Sequence, residues 1–160
     1  MTWIRGSQPS ESPGVVAPPS GCVFCEAVRS DDDRPWLVVH RGEHAFLILN
    51  AYPYASGHVM AVLNRHVGSL GAARTDELVD AMREVQRATA ALTEEYGAEG
   101  FNVGLNQGRV AGAGIEGHLH VHVVPRWHGD GNFMAVLADT RVLPESLEAT
   151  WERLRGRLGG

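Results

Sequence analysis

The chain has 160 residues, 44% hydrophobic and 21% charged, a balance that fits one globular domain with its own core rather than a disordered polyanion or a two-domain enzyme. Its 14 basic residues other than histidine are all arginines, which removes Schiff-base lysines, pyridoxal anchors and Walker-type phosphate lysines from consideration. A net charge of -5 without an arginine run disfavours duplex nucleic acid or an anionic membrane surface as the main partner, and no apolar run approaches the roughly 20 residues of a membrane span.

Residues 1–20 hold four of the eight prolines and Ser7, Ser10, Ser12 and Ser20. Such a segment buries too little apolar surface to offset its ordering entropy, so a flexible tail is expected ahead of a single domain over 21–160. It has no continuous apolar core or small-residue cleavage site of a signal peptide, and a cytoplasmic chain is expected. Cys22 and Cys25 follow, at a spacing that in a cytosolic protein reads as a metal or redox pair before it reads as a structural disulfide.

Trp36 to His40 and His44 to Leu49 form two strand-like runs around Arg41-Gly42-Glu43, and His58 to Leu63 follows a loop with Pro53 and Gly57, so a meander is predicted. Thr75 is the predicted N-cap of a long helix, with Asp76 and Glu77 in its first turn. Leu78, Met82, Val85, Thr89, Leu92 and Tyr96 mark its apolar face, and Gly97 its stop. Phe101 to Leu105 and His118 to Val124 read as strands flanking a glycine-rich loop, and Pro144 opens a last helix with Leu147, Trp151, Leu154 and Leu158 on one face. The order predicts an α+β fold: an antiparallel sheet with one long helix and a C-terminal helix, the helices on one side.

The segment His118-Leu119-His120-Val121-His122-Val123-Val124 carries the chemistry. Alternation sends the three imidazoles to one face, roughly 6.5–7 Å apart, and Leu119, Val121 and Val123 to the core. Packing does not account for three histidines on one face, since each would need burial or solvation without apolar gain. Two functions fit: a metal platform, or a site in which one imidazole attacks phosphorus while its neighbours orient it or neutralise oxygens. The glycines at 108, 112, 114 and 117 favour the second, because successive backbone amides can close on phosphate oxygens.

These residues resemble the signature of the histidine triad (HIT) superfamily of nucleotide hydrolases and transferases. The segment Leu49 to His58 resembles the ribose-side segment of that family, and Cys22-Val23-Phe24-Cys25 the N-terminal pair of its zinc-containing bacterial members. Phe101 to Gly108 and Pro125 to Phe133 are most similar to the bacterial branch related to diadenosine tetraphosphate phosphorylases. The resemblance implies a HIT-like fold and a two-step reaction on adenine dinucleotides, with His120 attacking the α-phosphate and water or inorganic phosphate resolving the nucleotidyl-imidazole. His122 and His118 complete the triad, and Asn50, His58, Asn106, Gly112, Gly114 and Trp127 become substrate-side residues. Cys22, Cys25, His66 and His118 become ligands of a structural zinc, the reaction itself needing no catalytic metal, and the assembly a homodimer. Hydrolysis of purine nucleoside phosphoramidates or nucleotidyl sulfates, and a low-turnover nucleotide-binding module, are the alternatives. In this chain Gly114 stands where several family members carry a hydroxyl or amide, and Glu116 adds a negative charge nearby, with Arg109 as its available partner.

Overall fold

The computed structural model of the chain describes residues 21–131 and 145–159; the expected tail over 1–20, Pro144, Asn132 and Phe133 lie outside them. Three aliphatic runs pair as the predicted meander: β1 (Val38–Arg41), β2 (Ala45–Leu49) and β3 (Val59–Leu63). Every residue of β2 and β3 is buried, which explains their unbroken apolar sequence: both faces of the sheet centre are covered. With β4 (Gly100–Gly104) and β5 (His120–Arg126), the described residues form a five-stranded antiparallel sheet in the order β1-β2-β3-β5-β4.

The last strand starts two residues later than predicted. Leu119 donates its N–H to the Val67 carbonyl at 2.7 Å, so His118 precedes the ladder instead of opening it. The strand also runs on through Pro125, which lies past the last β3 pairing at Val123, where β5 has only β4 as its partner and no neighbour on the other side needs an N–H.

Helices α2 (Thr75–Tyr96) and α3 (Leu147–Leu158) pack on one face, where Val85, Ala88, Leu92, Leu154 and Leu158 meet Val39, Leu47, Leu49, Val59, Ala61 and Val123. The expectation that all helices share that side is corrected by α1 (Val23–Arg29), a seven-residue helix on the opposite face. Its Phe24 and Ala27 pack with Val38, Phe46, Ile48, Met60 and Val62. This second layer reaches β1, β2 and β3 but not β4, so the β5–β4 end of that face stays open.

The long helix begins at Thr75, with Arg74 rather than Thr75 as N-cap, because the Glu77 carboxylate accepts the Arg74 N–H at 2.8 Å. Gly97 ends it in the left-handed region, at φ 60°, as glycine does without strain. The predicted apolar face is rotated. Met82 is half exposed, and the buried stripe includes Glu77, Asp80 and Glu84. Each carboxylate has a fixed partner: Asp80 Oδ2 accepts the N–H groups of His44 and Ala45 at 2.6 and 3.1 Å, and Glu84 Oε2 lies 2.8 Å from His40 Nδ1. The helix is thus attached to the β1–β2 hairpin by polar contacts as well as by packing. No described helix is long and apolar enough to cross a membrane.

Glu77 is 2% exposed and accepts two hydrogen bonds from Arg65, both 2.7 Å long. Those bonds, with the Arg74 amide, hold its pKa down from 4.5 to about 2 against the opposing effect of burial. A depressed carboxylate pKa contributes stability above the unfolded value and loses it as pH falls toward the folded one. Glu77→Gln is expected to cost about 2 kcal/mol at neutral pH. In denaturant titrations the gap to the parent should close between pH 4.5 and about 2, and a constant gap would remove the ion pair from this account.

Candidate functional site

Two clusters meet at the start of β5. In the first, the α1 N-terminus brings Cys22 and Cys25 to His66, in the loop after β3, and to His118. His118 Nδ1 lies 3.3 Å from Cys22 Sγ and 3.6 Å from Cys25 Sγ, and His66 Nδ1 lies 3.2 Å from Cys25 Sγ. All four donor atoms are within 4.8 Å of one another. Tetrahedral zinc, with bonds of about 2.0–2.3 Å, sets its ligands about 3.3–3.8 Å apart; the three Cys–His contacts are close to that spacing, and the donor set is compatible with a four-coordinate ion that leaves no open position. The His118 ring is already oriented for this: its Nε2 donates to the Leu63 carbonyl at 2.6 Å, which leaves Nδ1 unprotonated toward the thiols. Glycine permits the convergence, since a Cβ on Gly68 would stand 2.8 Å from the Glu116 carbonyl oxygen and one on Gly117 3.1 Å from the His66 ring.

The second cluster is the imidazole row. His120 is 5% exposed, its ring 5.1 Å from that of Phe24 and 5.0 Å from that of His122. Its Nδ1 donates to the His118 carbonyl at 2.8 Å, so the ring nitrogen carrying the lone pair is Nε2. His58, 1% exposed, accepts the Tyr54 N–H on Nδ1 at 3.1 Å and therefore carries its proton on Nε2, 3.0 Å from His122 Nδ1. His122 accepts that bond and holds its own proton on Nε2. The row thus presents a lone pair on His120 beside an N–H on His122. Burial pushes the pKa of His118, His120 and His122 below the ordinary 6.5, which keeps the rings neutral at pH 7.

The other residues singled out from sequence divide into three groups. Asn50 lies beside the row: its Oδ1 accepts the Tyr52 N–H at 2.9 Å and its Nδ2 is 3.5 Å from His58 Nε2, so it shapes the turn and touches the site at once. Asn106 and Gly112 are linked by a 3.5 Å hydrogen bond across the glycine loop, while the position of a Cβ on Gly114 is open space. The Glu116 charge is met by Arg109, whose Nε lies 2.7 Å from Oε1. Trp127 is on the far side of the sheet: it packs against the α2–α3 core and donates its indole N–H to the Tyr96 carbonyl, away from the imidazoles. Sequence reading passed over Tyr54, whose ring lies 4.8 Å from that of His58, although it sits inside the segment Leu49 to His58. It also passed over α1, whose Phe24, Ala27 and Val28 do repeat at helical spacing but over only two turns.

Residues 32–129 match the HIT domain family. The chain is 42% identical over 150 residues to the AP-4-A phosphorylase of Mycobacterium tuberculosis, across 94% of this chain and 76% of that protein. It is 33% identical over 110 residues, 69% of this chain and 82% of the relative, to an uncharacterized HIT-like protein of Methanocaldococcus jannaschii. A zinc-bound histidine triad family protein from Mycobacterium smegmatis superposes with a TM-score of 0.70 at 27% identity, over 86% of this chain and 93% of that chain.

The hydrogen-bond directions make a specific spectroscopic expectation. Long-range nitrogen–proton correlation spectra near pH 7 should give the Nδ1–H tautomer for His120 and the Nε2–H tautomer for His58 and His122. The opposite tautomer at His120 would leave its Nε2 without a lone pair and end its candidacy as a nucleophile.

Proposed function

The chain belongs to the HIT domain family, and from that membership we propose that it cleaves dinucleoside polyphosphates of the diadenosine tetraphosphate type at the α-phosphate, through a nucleotidyl–His120 intermediate. The observation that carries this reading is the His120 ring, locked by the His118 carbonyl at 2.8 Å with its lone pair on Nε2 beside the His122 N–H. In the first step His120 Nε2 bonds to the α-phosphorus as the bridging P–O bond breaks, and the electron pair leaves with the nucleoside polyphosphate. His122 Nε2–H donates to a phosphoryl oxygen as charge accumulates, and Asn106 and the amides around Gly112 and Gly114 assist from the loop. In the second step an oxygen of inorganic phosphate or water attacks the phosphorus, and the P–N pair returns to His120. Asn50 contacts the ribose hydroxyls, and His58 keeps His122 in the donating tautomer. Resolution by phosphate is supported by the open space at Gly114 and by the name of the Mycobacterium tuberculosis relative.

Incubation with diadenosine tetraphosphate is the direct test. ADP and ATP are expected when phosphate is present, AMP and ATP when only water is. His120→Ala should abolish turnover, with no nucleotide attached to the chain after rapid acid quench, while nucleotide binding persists. Covalent nucleotidylation that survives this substitution would sink the assignment.

Two further parts of the reading concern assembly. Cys22, Cys25, His66 and His118 would hold a structural zinc, which contributes folding energy and fixes His118 but, having no free coordination position, takes no part in the chemical step. A homodimer about a two-fold axis is supported by two uncovered surfaces, the side of α2 with Val79 and Met82, 45% and 50% exposed, and the edge strand β4 with Val103, 44% exposed. Native mass spectrometry should give two chains carrying two zinc ions. A single chain overturns the dimer, and a metal-free species of unchanged thermal stability overturns the structural zinc.

A further inference from the structure

The face of the sheet that bears the imidazoles is covered unequally. Phe24 and the rest of α1 close it over β1, β2 and β3, up to the His120 ring. Beyond His120 the cover stops, and a groove of about 780 Å³ opens over β5 and β4. Its floor follows from strand periodicity: His122, Val124 and Arg126 point to this face, and their β4 partners Gly104, Asn102 and Gly100 stand opposite. A Cβ at Gly100 or Gly104 would meet nothing within 4 Å, so glycine beside both His122 and Arg126 leaves the floor low. Tyr54, stacked on His122 with ring centroids 6.4 Å apart, forms a wall.

At the far end stands a guanidinium held in place. Arg126 donates Nε and Nη2 to the two oxygens of Asp130, at 2.6 and 2.7 Å, and Nη1 to Asn102 Oδ1 at 2.7 Å. Three of its five N–H groups are thereby used, and two on the planar fork remain. The carboxylate that holds it is itself occupied: Asp130 also accepts the Trp127 N–H, and these donors, Arg126 foremost, hold its pKa at about 2. Arg126 lies four residue steps along the strand from His122, roughly 13 Å, which is more than a single leaving phosphate can span.

We infer that this groove is the subsite of the departing half of the substrate, a nucleoside polyphosphate, and that Arg126, positioned by Asp130 and Asn102, binds its distal phosphates. The inference rests on the reading of the site as one that cleaves dinucleoside polyphosphates. In-line displacement places nucleophile and leaving group on opposite sides of the phosphorus, and with α1 closed over one side of His120 the departing chain runs along the other. A fork already fixed by a carboxylate adds little net charge but loses little entropy on binding, so it selects for a phosphate chain long enough to reach it rather than attracting any anion.

The test compares two substrates that share His120 but differ in leaving-group length: diadenosine tetraphosphate, and adenosine 5′-phosphoramidate, whose leaving group cannot reach Arg126. The double variant R126Q/D130N removes the fork without leaving an orphan charge, and Asn102→Ala removes one buttress while the ion pair stays. In R126Q/D130N the ratio of kcat/KM for the tetraphosphate to that for the phosphoramidate should fall about tenfold or more, mainly through KM. Asn102→Ala should move the ratio the same way by less. A ratio unchanged in both variants, or an equal loss on both substrates, would mean that the cluster only braces the end of β5, and the inference falls. If the parent protein cleaves the phosphoramidate but not the tetraphosphate, the underlying functional reading fails and takes the inference with it.

Discussion

One residue, His118, joins the two halves of this site. Its main-chain carbonyl accepts the His120 Nδ1 proton, and its side chain is held by the Leu63 carbonyl on one ring nitrogen and by the Cys22 and Cys25 thiols on the other. The carbonyl can only be where the ring lets it be. His118 also lies two residues before β5 begins, outside the strand ladder that would otherwise define its position. The cysteine–histidine cluster supplies that definition, which gives a cluster with no open position a direct bearing on the His120 ring.

The sheet distributes structural and chemical tasks by face and by strand. One face is given to α2 and α3 and holds the main core, including Val121 and Val123 of the histidine strand. The other is divided along its width: α1 seals the meander, and the β5–β4 end is left open as a groove. A fully symmetric cover of three layers would bury the imidazoles beyond reach of any substrate, and an uncovered face would leave Phe46, Ile48, Met60 and Val62 in water. The short α1, placed where the meander is and the edge strand is not, resolves that conflict.

Much of this was readable from residues alone, for physical reasons that can be named. The meander was legible because β2 and β3 are buried on both faces and therefore written in continuous aliphatic runs. The imidazole row was legible because alternation of histidine with valine and leucine has no competing explanation in packing. The long helix was recognised, but its orientation was not, since Glu77, Asp80 and Glu84 occupy the buried stripe and a pattern of apolar residues reads carboxylates as solvent-facing. Only the partners of those carboxylates, Arg65, the hairpin amides and His40, give the rotation away, and they come from other parts of the chain. Trp127 serves packing or ligand equally well when judged by residue type, and alternation carried on from Val121 and Val123 is the signal that puts it with the core in this chain.

The separation in sequence of the groups that converge on His118 has a consequence for how the protein acquires activity. Cys22 and His118 are 96 residues apart, and His66 is 41 from Cys25, so the contacts that hold the His118 ring join segments distant in sequence. Contacts of that kind close late, after the local hairpin and helices have already restricted the chain. The geometry of the His120 ring is therefore a property of the completed topology, set by segments that meet only when the sheet and α1 are both in place.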